Sequence, residues 1–215
     1  MKSLLVMITA LTLLASVAYA ETITVEFIGM VEYNQVNQGI FADVNSGDAV
    51  LATFTLDSEI WEASPGGYGV RGYPIDQSSF ELTIGSVGPV PLVSPQPNGE
   101  ITYFNIRNAD PVADGFFISN QLDWDNLLPK LDVEGGIDPY FSFIWSVGYT
   151  EDTFSSLDIV DAIGSYDYTG LTSFYTAVKD SWADPIGLEF VQTNIIGGPV
   201  AIESMSMGSV KALFR

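Results

Sequence analysis

The residues best suited to bind a ligand lie in one loop, "RNADPVADG", which contains Asn108, Asp110 and Asp114 and ends on a glycine. Carboxylate and amide oxygens of this kind are the ligands that Ca²⁺ prefers in proteins. These three residues are therefore a candidate metal site, and calcium is the only cofactor that the sequence suggests. Their spacing differs from that of an EF-hand loop, and Asp and Asn also form ordinary turns by bonding their own backbone. Turn formation is the alternative explanation for the same residues.

Tryptophans indicate a second kind of site, one that binds carbohydrate. Trp61, Trp124 and Trp182 stand beside acidic residues in turn-like segments, where an exposed ring could stack on a sugar while a carboxylate accepts its hydroxyl hydrogens. Trp145 stands in the apolar run "YFSFIWSV" and is predicted to lie in the core. The alternative is that an aromatic-rich core accounts for most of the 13% aromatic content.

Catalytic chemistry is restricted because the chain has no histidine and no cysteine. A Ser-His-Asp triad, a Cys-His dyad and a His-ligated zinc site are therefore excluded. A glycosidase that uses two carboxylates about 5 to 10 Å apart is still possible, and Glu26 in "TVEFI" with Glu189 in "GLEFV" is the best pair for it. The alternative is that both side chains point to solvent. We therefore expect a non-enzymatic protein, with a glycoside hydrolase or lyase as the rival hypothesis.

The charge of the chain restricts its partners. It carries 27 acidic and 7 basic residues, a formal net charge of −20. Nucleic acid needs clustered Lys and Arg to neutralise its phosphates, so it is excluded as a partner, and an anionic membrane surface is disfavoured for the same reason. Cations and neutral sugars are compatible with this charge, and extracellular polysaccharide is the expected partner.

The elements that must position these residues are predicted to be β-strands. The stretch "VNSGDAVLATFTLDS" begins with a Gly-Asp turn, alternates apolar and polar residues, and ends on another turn. One face of this strand carries Val50, Ala52, Phe54 and Leu56, and the other carries Thr53 and Thr55. In "ETITVEFIGMVEY", one face likewise carries Ile23, Val25, Phe27 and Val31.

Similar short alternating runs continue along the chain between clusters of Pro, Gly, Asn and Asp. This pattern predicts an all-β protein, a single antiparallel β-sandwich with jelly-roll or Greek-key connections. One short helix is predicted at 156–164, where Ser156 would cap its start and Gly164 would end it.

The first twenty residues have the layout of a secretory signal peptide. Lys2 precedes an apolar run from Leu4 to Leu14, and Ala18 and Ala20 supply the small residues before a cleavage site. We expect residues 1–20 to be removed, leaving 21–215 as one domain that is secreted to the extracellular space or periplasm, away from the membrane. With no cysteine, this domain must be stabilised by packing alone.

Short motifs give the chain a family resemblance. In the first half they are Phe27, Gly29, Val31, Gly47-Asp48, Val50, Phe54, Asp57-Ser58, Tyr73 and "SFELTIGS", and later Asp114-Gly115-Phe116, "SSLDI" and "IGLEF". On these motifs the chain resembles the secreted bacterial PEP-CTERM proteins, which are exosortase substrates, although Leu56 replaces a common aromatic residue. The resemblance implies an exported all-β bacterial protein associated with exopolysaccharide or biofilm matrix. The family's Pro-Glu-Pro motif, apolar span and basic end are missing from "SVKALFR", so we expect a released protein with unknown oligomeric state.

Overall fold

The computed structural model describes residues 21–67, 69–109, 113–122, 127–135, 139–150, 152–180 and 185–198. The predicted signal peptide, Asp110, Trp124 and Trp182 lie outside these residues. The described strands are β1 (Thr22–Asn34), β2 (Ala49–Asp57), β3 (Glu62–Ala63), β4 (Val70–Pro74), β5 (Glu81–Ile84), β6 (Val87–Val90), β7 (Tyr103–Ala109), β8 (Ala113–Ser119), β9 (Lys130–Glu134), β10 (Tyr140–Tyr149), β11 (Gly164–Asp167), β12 (Leu171–Lys179) and β13 (Pro185–Gly197).

Three single-turn 3-10 helices interrupt the strands, at Gly39–Phe41, Gln77–Ser79 and Pro97–Gly99. None of the helices in the described part of the chain has the length and apolar composition needed to cross a membrane.

The strands form one continuous antiparallel sheet. Its order is β3-β4-β7-β8-β10-β12-β13-β1-β2-β5-β6, with β11 also paired to β13 and β9 to β10. The all-β antiparallel class predicted from the sequence is confirmed. The sandwich with jelly-roll or Greek-key connections stays a prediction, since the described strands belong to a single continuous sheet.

The sheet curls so that its two halves face each other across the core. Phe54 on β2 and Phe104 on β7 have ring centroids 5.7 Å apart, yet six steps of the sheet separate their strands. In a flat sheet six steps would span about 29 Å, at about 4.8 Å per strand. Phe27 on β1 likewise stacks on Trp145 of β10 at 3.9 Å. Aromatic rings from both halves therefore form the centre of the core.

Strand β2 shows how the sequence produces this arrangement. Gly47, with φ +83°, takes the left-handed conformation that the preceding turn requires. Alternate side chains then enter the core, where Val50, Ala52, Phe54 and Leu56 are at most 3% exposed. After the strand, the Asp57 carboxylate accepts the N–H of Glu59 at 2.8 Å and closes the second turn. The predicted turn, strand and turn are confirmed.

The helix predicted at 156–164 is wrong. Residues 158–163 instead form successive turns, in which the N–H groups of residues 161, 162 and 163 each bond the carbonyl three residues earlier. Ser156 caps only locally, since its Oγ accepts the N–H of Asp158 at 3.0 Å, and Gly164 begins β11. The reason is competition: a short helix nucleates poorly, and the Tyr73 hydroxyl binds the Leu157 carbonyl and the Ile159 N–H at 2.9 Å each.

Candidate functional site

The candidate calcium residues lie at the hairpin that joins β7 to β8, where Asn108 and Asp114 are directly opposite each other. Asp114 is 1% exposed, and its Oδ2 accepts the N–H groups of Thr153 and Phe154, both at 2.6 Å. Asn108 donates its side-chain N–H to the Phe154 carbonyl at 2.7 Å. Both side chains therefore hold the segment at 153–154 against the hairpin.

Calcium binding at this hairpin stays a prediction. Asp110 lies outside the described residues, and across the described residues no three or more metal-ligating side chains are grouped together. The described contacts of Asp114 serve the backbone of a neighbouring segment. This role is structural, and it differs from the turn formation that the sequence offered as the alternative, because the bonded N–H groups belong to Thr153 and Phe154, about 40 residues further along the chain.

The two acids proposed as a glycosidase pair lie on the neighbouring strands β1 and β13. Glu26 is opposite Asn194 in the β1–β13 ladder, whereas Glu189 is opposite Met30. Four residues of β1 therefore separate the two backbone positions, about 13 Å at about 3.3 Å per residue. A glycosidase needs its carboxyl groups about 5 to 10 Å apart, so both side chains would have to lean toward each other, and this pair stays a prediction. Glu26 accepts a hydrogen bond from the Asn194 amide at 3.2 Å.

Trp145 lies in the core, as predicted. Its side chain is fully buried, stacks on Phe27, and donates its indole N–H to the Tyr168 hydroxyl at 2.9 Å. Trp124 and Trp182 lie outside the described residues, so their role in carbohydrate binding stays a prediction.

Trp61 is the predicted carbohydrate residue that the structure places at the surface. It lies directly before β3, and its side chain is 45% exposed. The Arg71 guanidinium lies over one face of the indole, with Cζ 4.1 Å from the ring centroid. With the guanidinium over one face, the opposite face of the indole is the one on which a sugar would stack.

Arg71 is held in place by groups on two sides. Its Nη1 donates to the Tyr73 hydroxyl at 3.3 Å and lies 3.7 Å from an oxygen of Asp158. Tyr73 in turn is fully buried, and its hydroxyl holds the 157–159 turns through the bonds described above. The chain therefore fixes the guanidinium, and the guanidinium fixes the plane of the Trp61 ring.

Two carboxylates are associated with this ring, one on the next residue of the chain and one on the partner of Arg71. Glu62 follows Trp61 directly on β3 and accepts a hydrogen bond from the Tyr103 hydroxyl at 3.1 Å. Asp158, whose side chain is 48% exposed, pairs with the guanidinium. Exposed carboxylate oxygens near an open aromatic face can accept hydrogen bonds from sugar hydroxyls.

The two tyrosines that support the site stay protonated. Burial raises the pKa of Tyr73, although the neighbouring Arg71 opposes that shift. Burial, together with the hydrogen bond to the Glu62 carboxylate, raises the pKa of Tyr103 to about 12. Both hydroxyls therefore act as hydrogen-bond donors at neutral pH.

Sequence reasoning identified Trp61 but missed Arg71, Tyr73 and Asp158. Arg71 could have been found, because it is one of only 7 basic residues in the chain and stands between glycines and tyrosines in "GYGVRGYP". Asp158 could not, since 87 residues separate it from Arg71 in the chain. No protein-family model, curated protein or solved structure matches this chain.

Proposed function

We propose that this protein is a secreted, non-enzymatic component of an extracellular matrix or cell surface, and that it binds polysaccharide through the Trp61 surface. The single observation that carries the binding proposal is the indole of Trp61, 45% exposed with Arg71 fixed 4.1 Å from its centroid. Export is supported by the signal-peptide layout of residues 1–20. The matrix role is supported by the resemblance to PEP-CTERM proteins.

Stacking on such a ring has a physical advantage. A side chain already held by its neighbours loses little conformational entropy when a ligand binds, so more of the contact energy contributes to affinity. The Arg71 guanidinium supplies this support from one face, and Tyr73 and Asp158 hold the guanidinium. The open face then presents a flat apolar surface to the C–H groups of a pyranose ring.

The proposal can be tested with a glycan array, followed by calorimetric titration of the oligosaccharides that bind. The chain without residues 1–20 should bind at least one polysaccharide, and Trp61→Ala should weaken binding about 30-fold, the loss of an interaction hot spot of about 2 kcal/mol. Arg71→Gln should cause a smaller loss, because the ring stays but its support is removed.

Tyr33→Ala is the matched control, since Tyr33 is a 42% exposed aromatic residue on β1. It should bind the same glycan with unchanged affinity. Equal affinities for Trp61→Ala and the wild-type protein, or a glycan array with no binding at all, would refute the proposal.

A further inference from the structure

A row of four residues crosses the outer face of the sheet. Arg107 on β7 is opposite Gly115 on β8, Gly115 is opposite Gly148 on β10, and Gly148 is opposite Ser173 on β12. Directly opposed residues in antiparallel strands project to the same side. The neighbours of Gly148 along β10 point into the core, so this row faces outward, with two bare glycines between an arginine and a serine.

Polar side chains converge on the space above Gly148. A Cβ atom added there would lie 2.5 Å from the Ser173 Oγ, 3.5 Å from the Arg107 Nη2 and 3.6 Å from the Thr172 Oγ1. The Arg107 side chain therefore reaches from β7 across β8 to Gly148. Gly115, which lies between them on β8, is required for a different reason, because a Cβ there would collide with the Val147 carbonyl oxygen. Three polar groups from two distant strands surround one glycine.

A β-bulge in β12 positions the Thr172 hydroxyl, the third of these polar groups. The register passes from Gly148–Ser173 to Tyr149–Leu171, so Thr172 is an extra residue in β12. Bulges commonly redirect a side chain at a functional position. Here the Thr172 hydroxyl donates to the Gly148 carbonyl at 3.1 Å, which leaves its oxygen lone pairs available as acceptors.

The charge of Arg107 is not neutralised by its described surroundings. No described carboxylate lies within ion-pair distance of the guanidinium, and its buried Nε has no hydrogen-bond partner. Its Cζ is 5.9 Å from the centroid of the Phe117 ring. Arg107 is half-buried, whereas Thr172 and Ser173 are exposed. A guanidinium held in this way is suited to bidentate pairing with a planar anion.

The number of negative charges on a ligand decides which anions suit this site. The site has one positive charge and two hydroxyl groups, on a chain of net charge −20. A monoanion would be neutralised there, whereas a phosphate dianion would add a negative charge to an already acidic protein. A carboxylate has the single charge and the planar geometry that match the guanidinium.

We propose that Arg107, Ser173 and Thr172 form a carboxylate-binding site that takes the uronic acid unit of an acidic polysaccharide. The Arg107 guanidinium donates two hydrogen bonds to the carboxylate, and the Ser173 hydroxyl donates a third. The Thr172 oxygen accepts from a sugar hydroxyl. The carboxylate chemistry follows from these atoms, whereas its location on a sugar rests on the proposed polysaccharide function.

Calorimetric titration at low ionic strength tests this site. The probes are neutral tetrasaccharides that each carry a single galacturonate or a single mannuronate unit, the methyl esters of both, and sodium acetate, so that each acidic probe has the one negative charge that the site can neutralise. At least one acidic tetrasaccharide should bind, with its ester about ten-fold weaker or worse, because esterification removes the charge-assisted bonds. Acetate should bind more weakly than the tetrasaccharide. Equal affinities for acid and ester, or no binding of either acid, would overturn the carboxylate site, and acetate binding as tightly would overturn the sugar assignment.

Variants separate a binding role from a structural one. Arg107→Gln should abolish the preference for acid over ester, Arg107→Lys should retain part of it, and Ser173→Ala should reduce it several-fold. Ser173 is exposed, so its variant stays informative if Arg107→Gln melts at a lower temperature. Ser165→Ala, an exposed serine on β11, is the matched control and should change nothing. If the Arg107 variants melt at a lower temperature but still bind the acid more tightly than the ester, Arg107 has only the structural role of packing over Gly115 and Gly148.

The outcomes also distinguish this site from the Trp61 surface. If Trp61→Ala weakens acid and ester equally and no preference for acid exists, the polysaccharide function stands and the carboxylate site is refuted. If acid binding depends on Arg107 and is unaffected by Trp61→Ala, the carboxylate site stands and the Trp61 proposal is refuted.

Discussion

Replacing Phe54 with alanine should destabilise the protein more than any change on the other face of β2. Phe54 is 1% exposed and lies at the meeting point of the two halves of the sheet. Its ring centroid is 5.7 Å from that of Phe27, 6.1 Å from Phe80 and 5.7 Å from Phe104. These partners come from three other segments of the chain, so the core cannot easily close around the missing ring.

The size of the effect follows from these contacts. A buried Phe→Ala change costs about 3–5 kcal/mol of unfolding free energy, through lost transfer energy and the remaining cavity. Aromatic pairs add about 0.5–1.5 kcal/mol each beyond burial. With three such pairs, Phe54→Ala should lie near the upper end, at about 4–5 kcal/mol. For a domain of this size that corresponds to a melting temperature lower by about 8–20 °C.

Urea unfolding followed by tryptophan fluorescence measures this change, with Thr53→Ala as the matched control. Thr53 is the preceding residue, half-buried on the outer face, and its replacement should cost under about 1 kcal/mol, the range of strand propensities. Equal losses for the two variants, or a loss below about 1 kcal/mol for Phe54→Ala, would refute the assignment of these faces. A changed slope with urea would instead indicate altered compactness and would require a calorimetric measurement.

Four further predictions concern Asp114, calcium, Tyr103 and the signal peptide. Asp114→Ala should lower the free energy of unfolding by about 2–5 kcal/mol with or without calcium, since two N–H groups lose their acceptor; a loss that appears only with calcium would contradict its structural role. If the hairpin binds calcium, a hundred-fold excess over Kd should stabilise the protein by about 2.7 kcal/mol and Asp110→Asn should remove this gain, whereas melting curves indifferent to calcium and chelator would exclude it. The free energy of unfolding should fall between pH 10 and pH 12, because the pKa of Tyr103 is raised from 10.0 to about 12 in the folded protein and the unfolded chain releases that proton first. Tyr103→Phe should make this decline less steep. Parallel pH profiles for the variant and the wild-type protein would contradict the prediction. Mass spectrometry of the secreted protein should find its N-terminus at Glu21, and retention of residues 1–20 would contradict the cleavage site.

Local sequence pattern was sufficient to predict the strand class and the buried faces. Alternation in β2 identifies Val50 and Phe54 as core residues because successive side chains of a strand point to opposite sides, whatever the strand packs against. A continuous apolar run, rather than alternation, placed Trp145 in the core, where it is fully buried. The turn at Gly47 was also predictable, since a left-handed conformation favours glycine locally.

Prediction from local pattern failed at 156–164, where a residue distant in the sequence forms hydrogen bonds with the backbone groups that a helix would use. The segment at 156–164 has the capping residues of a helix, but the Tyr73 hydroxyl, more than 80 residues earlier, binds the backbone of Leu157 and Ile159. Local pattern also gave no sign of the hydrogen bonds from two backbone N–H groups near residue 153 to the Asp114 Oδ2, and calcium binding by Asp114 stays a prediction. Hydrogen bonds between such distant residues produce no periodic pattern in the sequence.

The sequence by itself determined that this chain is acidic, free of histidine and cysteine, and built of strands with known buried faces. Only the tertiary structure decided which side chains meet: Arg71 against Trp61, and Arg107 beside Ser173 across two glycines. The physical reason is that alternation specifies the side of the sheet to which a residue points, whereas its neighbours depend on strand order and register. These depend on how the two halves of the sheet pack their aromatic side chains together, a property of the whole chain.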